Sequence, residues 1–462
     1  MSHIKYSPEE PIVAIATSLS PAALGIVRCS GKNSVFLVSN MFSRKNALLA
    51  ANANTLVYGW IVDGEKKIDE VMVAVYRAPK SFTGEEMVEI FCHGGPGVVL
   101  AIHNLLLQNG FREAERGEFT FRSFINGKTD LTKSEAVQEI IESRTGEARS
   151  RAACRLAGDL FSEIDSIKTL VKETLAAIEV EVEYPEDEET IAGSFDSRNL
   201  KEAAKKLASL KDSWKSEKLY QDGARVVLCG KTNAGKSSLF NAILKEERAI
   251  VSDIEGTTRD WLESYCDIGG IPVRLFDTAG LRKTDDAIES QGVEISKNLS
   301  EDADIVLYLA DVSLGLTAED KAFIAHSKKP VILVWNKCDK CASDTRTAKT
   351  PQELSGCVKN VVCVSAKKVE GFAELYAAIT SILTEGISSA GRQAGIGSAR
   401  QKSIIDEAYS SVQHAIESAD TFTLDAVVQD LEEVLALLGE VTGEVTSDDI
   451  LESIFSRFCV GK

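Results

Sequence analysis

Long hydrophobic runs are missing from this sequence. Its most apolar stretches, Ile305 to Ala310 and Val331 to Trp335, have the length of buried strands and fall far short of the roughly 20 residues that cross a bilayer. Met1 to Pro11 carries Lys5, Glu9 and Glu10 where a secretory leader needs an apolar centre. These absences predict a chain with no membrane span that works in the cytoplasm with its ten scattered cysteines reduced. Positive charge is also short: 52 Lys and Arg against 70 Asp and Glu leave a formal charge of −18, the wrong sign for holding nucleic acid by bulk electrostatics. Any RNA contact must be local or shared with a partner. There is no internal repeat and no low-complexity tract. Cys338 and Cys341 have C-x-x-C spacing, but no second pair follows, which argues against zinc. His93, within Cys92-His93-Gly94-Gly95, reads as structural and not catalytic, and the remaining histidines are isolated and receive no role.

What is present fits about three domains, since 462 residues exceed one domain of about 150. Residues 1–125 alternate short apolar runs with Gly and Pro, as in Ile12 to Ala16, Val71 to Tyr76 and Val88 to Cys92, and read as an α+β domain. Residues 126–222 contain very little Gly or Pro, and Ile164, Ile167, Leu170, Val171, Leu175 and Ile178 recur at helical spacing. Glu179 to Glu189, with Tyr184 and Pro185 among its carboxylates, reads as an exposed helix end rather than a metal site. Residues 223–385 alternate strands with helices and predict a doubly wound parallel sheet, an α/β domain with its chemistry at the carboxyl ends of the strands. Residues 386–462 turn helical again, with Leu424, Val427, Val428, Leu431, Val434, Leu435 and Leu438 on one stripe read as core. Helical segments on both sides of a sheet domain predict that the sheet domain is inserted into a helical one.

Gly230-Lys231-Thr232-Asn233-Ala234-Gly235-Lys236-Ser237 matches G-x-x-x-x-G-K-[ST] between the strand Val226 to Cys229 and a helix that starts near Ser238. Its backbone N–H groups converge on phosphates, Lys236 brings a charge to the β- and γ-phosphates, and Ser237 offers a hydroxyl to Mg²⁺. Asp277-Thr278-Ala279-Gly280 follows the strand Val273 to Phe276, placing a carboxylate to hold Mg²⁺ through water and the Gly280 N–H at the γ-phosphate. Asn336-Lys337-Cys338-Asp339 follows the next apolar strand, and Asp339 can accept from guanine N1–H and its exocyclic amine, groups adenine does not present in that arrangement. Ser365-Ala366-Lys367 after Val361 to Val364 completes the base pocket. Four elements in this order, each after a strand, predict a GTPase.

Two details narrow the type. The residue after D-x-x-G is Leu281, which cannot orient the attacking water, so another polar group must do so; Asp285, Asp286 and Glu289 lie just downstream. Glu255-Gly256-Thr257-Thr258-Arg259-Asp260 forms the first switch, with Thr258 as the Mg²⁺-sensing hydroxyl and no obvious finger arginine. Asn233 either helps hold a monovalent cation in place of that arginine or caps its local turn.

Gly25-Ile26-Val27-Arg28, Phe82-Thr83-Gly84-Glu85, Cys92-His93-Gly94-Gly95-Pro96, Gly117-Glu118-Phe119-Thr120, Asn126-Gly127-Lys128 and Phe458-Cys459-Val460-Gly461-Lys462, added to the GTPase set, resemble the tRNA-modification GTPase MnmE (TrmE) family over essentially the whole chain. The resemblance extends the GTP-binding set to Ser238, Ser252, Asp253 and Ile254, implies K⁺ held by Asn233, Ser252, Ile254 and Thr257 between dimerised GTPase domains, and implies that Glu289 orients the water. It also implies an N-terminal folate-binding domain in a homodimer, with Arg28, Glu89, Lys128 and Lys462 lining a site for 5-formyl- or 5,10-methylene-tetrahydrofolate. The implied partners are an FAD-dependent MnmG-type protein, in a heterotetramer or larger assembly, and tRNA, whose wobble uridine would gain an aminomethyl or carboxymethylaminomethyl group at C5. Cys459 has two readings, a nucleophile or redox group, or a positioning residue beside Lys462. Two departures stand out: Ser18 to Leu24 replaces the family's Gly-rich run, and Arg116 replaces its usual Pro. A regulatory or ribosome-assembly GTPase switch is the competing reading.

Overall fold

A computed structural model describes residues 10–183, 197–246, 262–277, 301–340, 352–387, 395–421 and 424–461. The chain forms two compact units: Met1–Gln138, Arg155–Leu207 and Ser398–Lys462 make the first, Glu139–Cys154 and Ala208–Gly397 the second.

The first unit opens with a six-stranded sheet made of β1 (Ile12–Ile15), β2 (Ala22–Ser30), β3 (Thr55–Asp63), β4 (Lys66–Tyr76), β5 (Met87–Gly94) and β6 (Arg112–Glu113), in the order β3-β4-β5-β2-β1-β6. All neighbours are antiparallel except β1 and β6. Period-two alternation decides which face is covered: Val27, Cys29, Val73, Val75, Val88 and Ile90 are buried in one cluster with residues of α1 (Ser34–Ser39) and α3 (Pro96–Gln108), with α2 (Lys45–Leu49) between them in the chain. Cys29 and Cys92 belong to that core; burial pushes both thiols up, Cys92 to about 11, so neither is a nucleophile near neutral pH.

α4 (Glu118–Ile125) starts at Gly117, whose φ of 69° and whose approach to the carbonyl of Phe455 leave no room for a side chain: a Cβ would stand 2.5 Å from that oxygen. Glu118 is fully buried and meets Arg112 at 2.7 Å and Arg122 at 2.9 Å, while Arg122 also reaches Glu85 at 3.0 Å. The one charged letter of the Gly-Glu-Phe-Thr motif is therefore spent on holding α4 to β6, and through Arg122 on the tie to the segment before β5. The chain continues through α5 (Leu131–Glu142), α6 (Gly146–Ala157), α7 (Asp159–Glu183) and α8 (Arg198–Asp222). Ile164, Ile167, Val171 and Ile178 of α7 are fully buried, one or two turns apart, as their spacing predicts.

The second unit carries β7 (Ala224–Cys229), α9 (Lys236–Glu246), β8 (Leu262–Ile268), β9 (Ile271–Asp277), β10 (Ile305–Asp311), α10 (Ala318–His326), β11 (Val331–Asn336), β12 (Val358–Cys363) and α11 (Phe372–Leu383). Its sheet runs β12-β11-β10-β7-β9-β8. Val226 and Leu228 face one apolar cluster, Val227 and Cys229 the other, as expected for a strand buried on both sides. The expected all-parallel sheet needs one correction: β8 is antiparallel to β9, so the sheet is mixed. Gly269 and Gly270, at φ of 63° and 84°, make the tight turn that allows the reversal, and Gly-Gly between two alternating runs was the signal for it.

Three helices return the chain to the first unit, α12 (Ala399–Thr421), α13 (Leu424–Thr442) and α14 (Asp448–Phe455). α13 packs on α12 and α7, and its Val427, Leu431, Val434 and Leu438 are fully buried. Among the described residues no helix is long and apolar enough to cross a membrane.

Candidate functional site

The loop after β7 is shaped by two glycines that nothing larger can replace. A Cβ on Gly230 would lie 2.2 Å from the carbonyl oxygen of Leu309, and one on Gly235 would lie 2.2 Å from Asn336 Nδ2. Between them Asn233 adopts φ of 65°, a left-handed conformation that Asn tolerates better than most residues. Lys236 opens α9, and its Nζ donates to the carbonyls of Gly230 at 2.7 Å and Lys231 at 2.9 Å, so the ammonium stands over the loop. Ser237 and Ser238 are exposed in the same first helical turn, beside the N–H groups that favour an anion. Asp277 ends β9 opposite Leu228 of β7 and is buried.

The base-reading elements are braced against that loop. Asn336, buried at the end of β11, donates from Nδ2 to the Ala234 carbonyl at 2.9 Å, and its Oδ1 accepts from the N–H of Lys337 at 2.8 Å and of Ala366 at 3.2 Å. Lys337 Nζ donates to the Asn233 carbonyl and to Asp311 Oδ2, both at 2.7 Å. Asp339 accepts from the Ser365 hydroxyl at 2.8 Å, and that bond, aided by Lys368 and Lys367, holds its carboxyl below the usual carboxylate range. Lys367 itself is exposed. The structure thus brings Asn233, Ala234, Gly235, Lys236, Asn336, Lys337, Asp339, Ser365 and Ala366 into one bonded group. Asp311 was missed in the sequence: burial works against its ionisation, but bonds from Lys337 and Ser313 outweigh it and hold its carboxyl at about 2. Its signal was an acid closing the apolar strand β10. Ser252, Asp253, Ile254, Glu255, Gly256, Thr257, Thr258, Thr278, Ala279, Gly280, Glu289 and Lys462 lie outside the described residues.

A second cluster sits on the sheet of the first unit. Arg28 of β2 donates to Glu89 of β5 at 2.8 Å and to the Gly461 carbonyl at 2.9 Å. Glu89 also accepts from the Tyr76 hydroxyl at 3.1 Å, and the Arg28 guanidinium lies 5.0 Å from the ring centroid of Phe119 and 5.6 Å from that of Phe82. Tyr76, Phe82 and Phe119 escaped the sequence reading, although the two phenylalanines are letters of its motifs. Lys128 donates to the Pro79 carbonyl at 3.1 Å, on the segment that leads to Phe82. The tail is zipped alongside: Val460 pairs with Arg116, the residue standing where the family usually has Pro, and Cys459 is exposed.

A phosphate loop between strand and helix, braced by an Asn-Lys-x-Asp element and a serine-oriented carboxylate, defines a P-loop GTPase. Residues 11–128 match the family described as GTP-binding protein TrmE N-terminus, and residues 131–459 match the MnmE helical domain. The tRNA modification GTPase MnmE of Treponema denticola is 51% identical over 99% of both chains, that of Treponema pallidum 44% over 99% of both, and that of Borreliella burgdorferi 39% over 99% of both. The chain belongs to the MnmE family of tRNA modification GTPases. Among solved structures, Era of Aquifex aeolicus bound to GDP.AlF4- aligns with 41% of this chain and 66% of its own at 25% identity and a TM-score of 0.27, too low to carry any structural inference.

Proposed function

We propose that this chain is a K⁺-dependent GTPase that, as a homodimer and with an FAD-carrying MnmG-type partner, modifies C5 of the tRNA wobble uridine using a one-carbon unit from tetrahydrofolate. The observation that carries the GTPase half is the Asp339–Ser365 pair: an oriented carboxylate, ionised at any physiological pH, beside a loop shaped for phosphates. Membership of the family over the whole chain carries the tRNA half. The residues fit their cargo. Ser237 and Asp277, with Thr258, would hold Mg²⁺, whose charge offsets that developing on the phosphates. Asn233 is exposed, with its backbone held by Lys337, and its side-chain carbonyl would serve K⁺ alongside Ser252, Ile254 and Thr257. The Arg28–Glu89–Tyr76 cluster, flanked by two aromatic rings, suits a flat heterocycle with donors and acceptors on one edge, and we assign the folate there, with Lys128 and Lys462 as further folate-binding residues. An acidic chain that acts on tRNA leaves most phosphate contacts to the partner. The discontinuous first unit supports insertion of the GTPase domain, residues 223–385, between two helical pieces.

The test is steady-state GTP hydrolysis in KCl against NaCl at equal ionic strength. Wild type should run about tenfold or more faster in KCl, by analogy with the loss of one charge-stabilising group, and Asn233→Ala should run equally slowly in both. Equal wild-type rates in the two salts would remove the cation from the mechanism. Glu289→Ala should lower kcat by about 10² to 10⁴ while GDP and GTP affinity stay within about twofold, because it withdraws a water-orienting base and no binding contact. Normal turnover in that variant would assign the water to another group.

A further inference from the structure

The β8–β9 hairpin joins the two stretches of sequence expected to respond to the γ-phosphate: β8 begins just past Thr258, and β9 runs into Asp277. Among the described residues β8 is the edge strand of its sheet, and its one neighbour in the hydrogen-bonded ladder is β9. At the far end, the hairpin is gripped by the turn between α5 and α6. Thr145 caps α6: its hydroxyl accepts from the Ala148 N–H at 3.2 Å and donates to the Gly270 carbonyl at 2.7 Å. One buried hydroxyl therefore uses its donor on the hairpin and its acceptor on the helix. Arg144 stacks on the ring of Tyr265 in β8, its guanidinium 3.6 Å from the centroid. A Cβ on Gly270 would stand 3.0 Å from Glu147 Cβ, so the turn lies flush against the first turn of α6. Arg151, one turn on, bonds Glu147 at 3.2 Å and Glu217 at 2.7 Å with its guanidinium 4.0 Å from the ring of Tyr220. None of these residues belongs to a nucleotide motif or to the folate cluster. All lie in the second unit, although α6 continues to Ala157, which is counted with the first.

We propose that Thr145, supported by Arg144, is a positioning residue that couples nucleotide state to α6 through the tip of the β8–β9 hairpin. When the segments flanking the hairpin respond to the γ-phosphate, the Gly270 carbonyl moves relative to Thr145, and the hydroxyl that follows it loosens or tightens the cap on α6. The inference rests on the guanine-nucleotide site proposed above and adds to it the route by which occupancy is felt at a helix leading out of the GTPase unit.

Hydrogen–deuterium exchange on the full chain, with GDP and with a non-hydrolysable GTP analogue, tests it in peptides covering the first turn of α6. Wild-type exchange there should differ by about threefold or more between the two nucleotides. Thr145→Val keeps the shape and removes both bonds, so exchange should speed up by about fivefold with either nucleotide, as for a lost helix cap, and the difference between nucleotides should vanish. Thr145→Ser should restore the difference, and GDP affinity should stay within about twofold throughout. Arg144→Ala, at an exposed position, should shrink the difference and stands in if Thr145→Val fails to fold. Identical wild-type exchange with the two nucleotides overturns the proposal, as does a difference that survives in both variants. Failure of wild type to bind GDP at all would instead strike the nucleotide site and leave a separate result.

Discussion

Asp339→Asn should weaken GDP binding by about 10² to 10⁴ and transfer preference to xanthosine diphosphate. The Asp339 carboxylate has one oxygen bonded to Ser365, and in that orientation it can accept from both N1–H and the exocyclic amine of guanine. Hydrogen bonds to a charged group contribute about 1.5 to 3 kcal/mol each, so two of them account for about 3 to 6 kcal/mol and for that range of affinity. An amide in the same place offers N–H where guanine offers N–H, and that clash is relieved by xanthine, which carries a carbonyl in place of the amine. Calorimetric titration with both nucleotides measures the exchange directly. The surrounding frame should persist in the variant, because the contacts that hold the loop come from Asn336 and Lys337 and not from Asp339. A variant that bound GDP as tightly as wild type would show that the base is read elsewhere.

Glu118→Ala should be the most damaging single change to the first unit, lowering its stability by about 3 to 5 kcal/mol. The carboxylate is fully buried between Arg112 and Arg122, and Arg122 is itself buried. Removing the acid leaves the buried Arg122 with Glu85 as its one remaining carboxylate among the described residues, and Arg112, whose guanidinium burial opposes while Glu118 and Glu10 hold it charged, loses the stronger of those supports. Thermal unfolding followed by a probe in the first unit reads the effect, and GDP binding in the second unit is the internal control. A fall of less than about 1 kcal/mol would mean that water and the existing Glu85 pair suffice for the two guanidiniums. Because the group lies in a sequence motif, the result also bears on what the motif is for: here Gly117 gives the turn, Glu118 the ionic hub and Phe119 the ring beside Arg28.

Legibility followed the range of the interactions. The nucleotide site was readable because each of its motifs is local, a few residues set after an apolar strand, and strand ends bring them together once the sheet forms. β8 was overlooked because Leu262–Ile268 mixes Glu, Ser, Tyr, Cys and Asp among few aliphatic residues, as befits an edge strand, and a search for continuous apolar runs passes over it. The Tyr76, Phe82 and Phe119 surroundings of Arg28 depend on pairings between β2, β4 and β5 and on a loop and a helix from further along, and no periodicity encodes such a meeting. Thr145 was invisible for the same reason: the carbonyl that accepts its hydroxyl is 125 residues away, and a lone threonine before Gly-Glu reads as a helix cap at most. Asp311 falls between these cases, a local acid after a strand whose purpose is clear only when Lys337 is seen reaching it.

The bond from Arg28 to the Gly461 carbonyl spans 433 residues of sequence. At about 5 to 20 residues per second of synthesis, that separation amounts to roughly 20 to 90 s between the making of one partner and the other. The sheet that carries Arg28 can close its own core long before, since its strands and α3 are all drawn from the first part of the chain. The Arg28 pocket therefore waits on Gly461 long after the sheet around it is made: a chain halted short of Gly461 would hold a folded sheet, a formed Arg28–Glu89 pair, and a guanidinium N–H still facing the place where that carbonyl belongs.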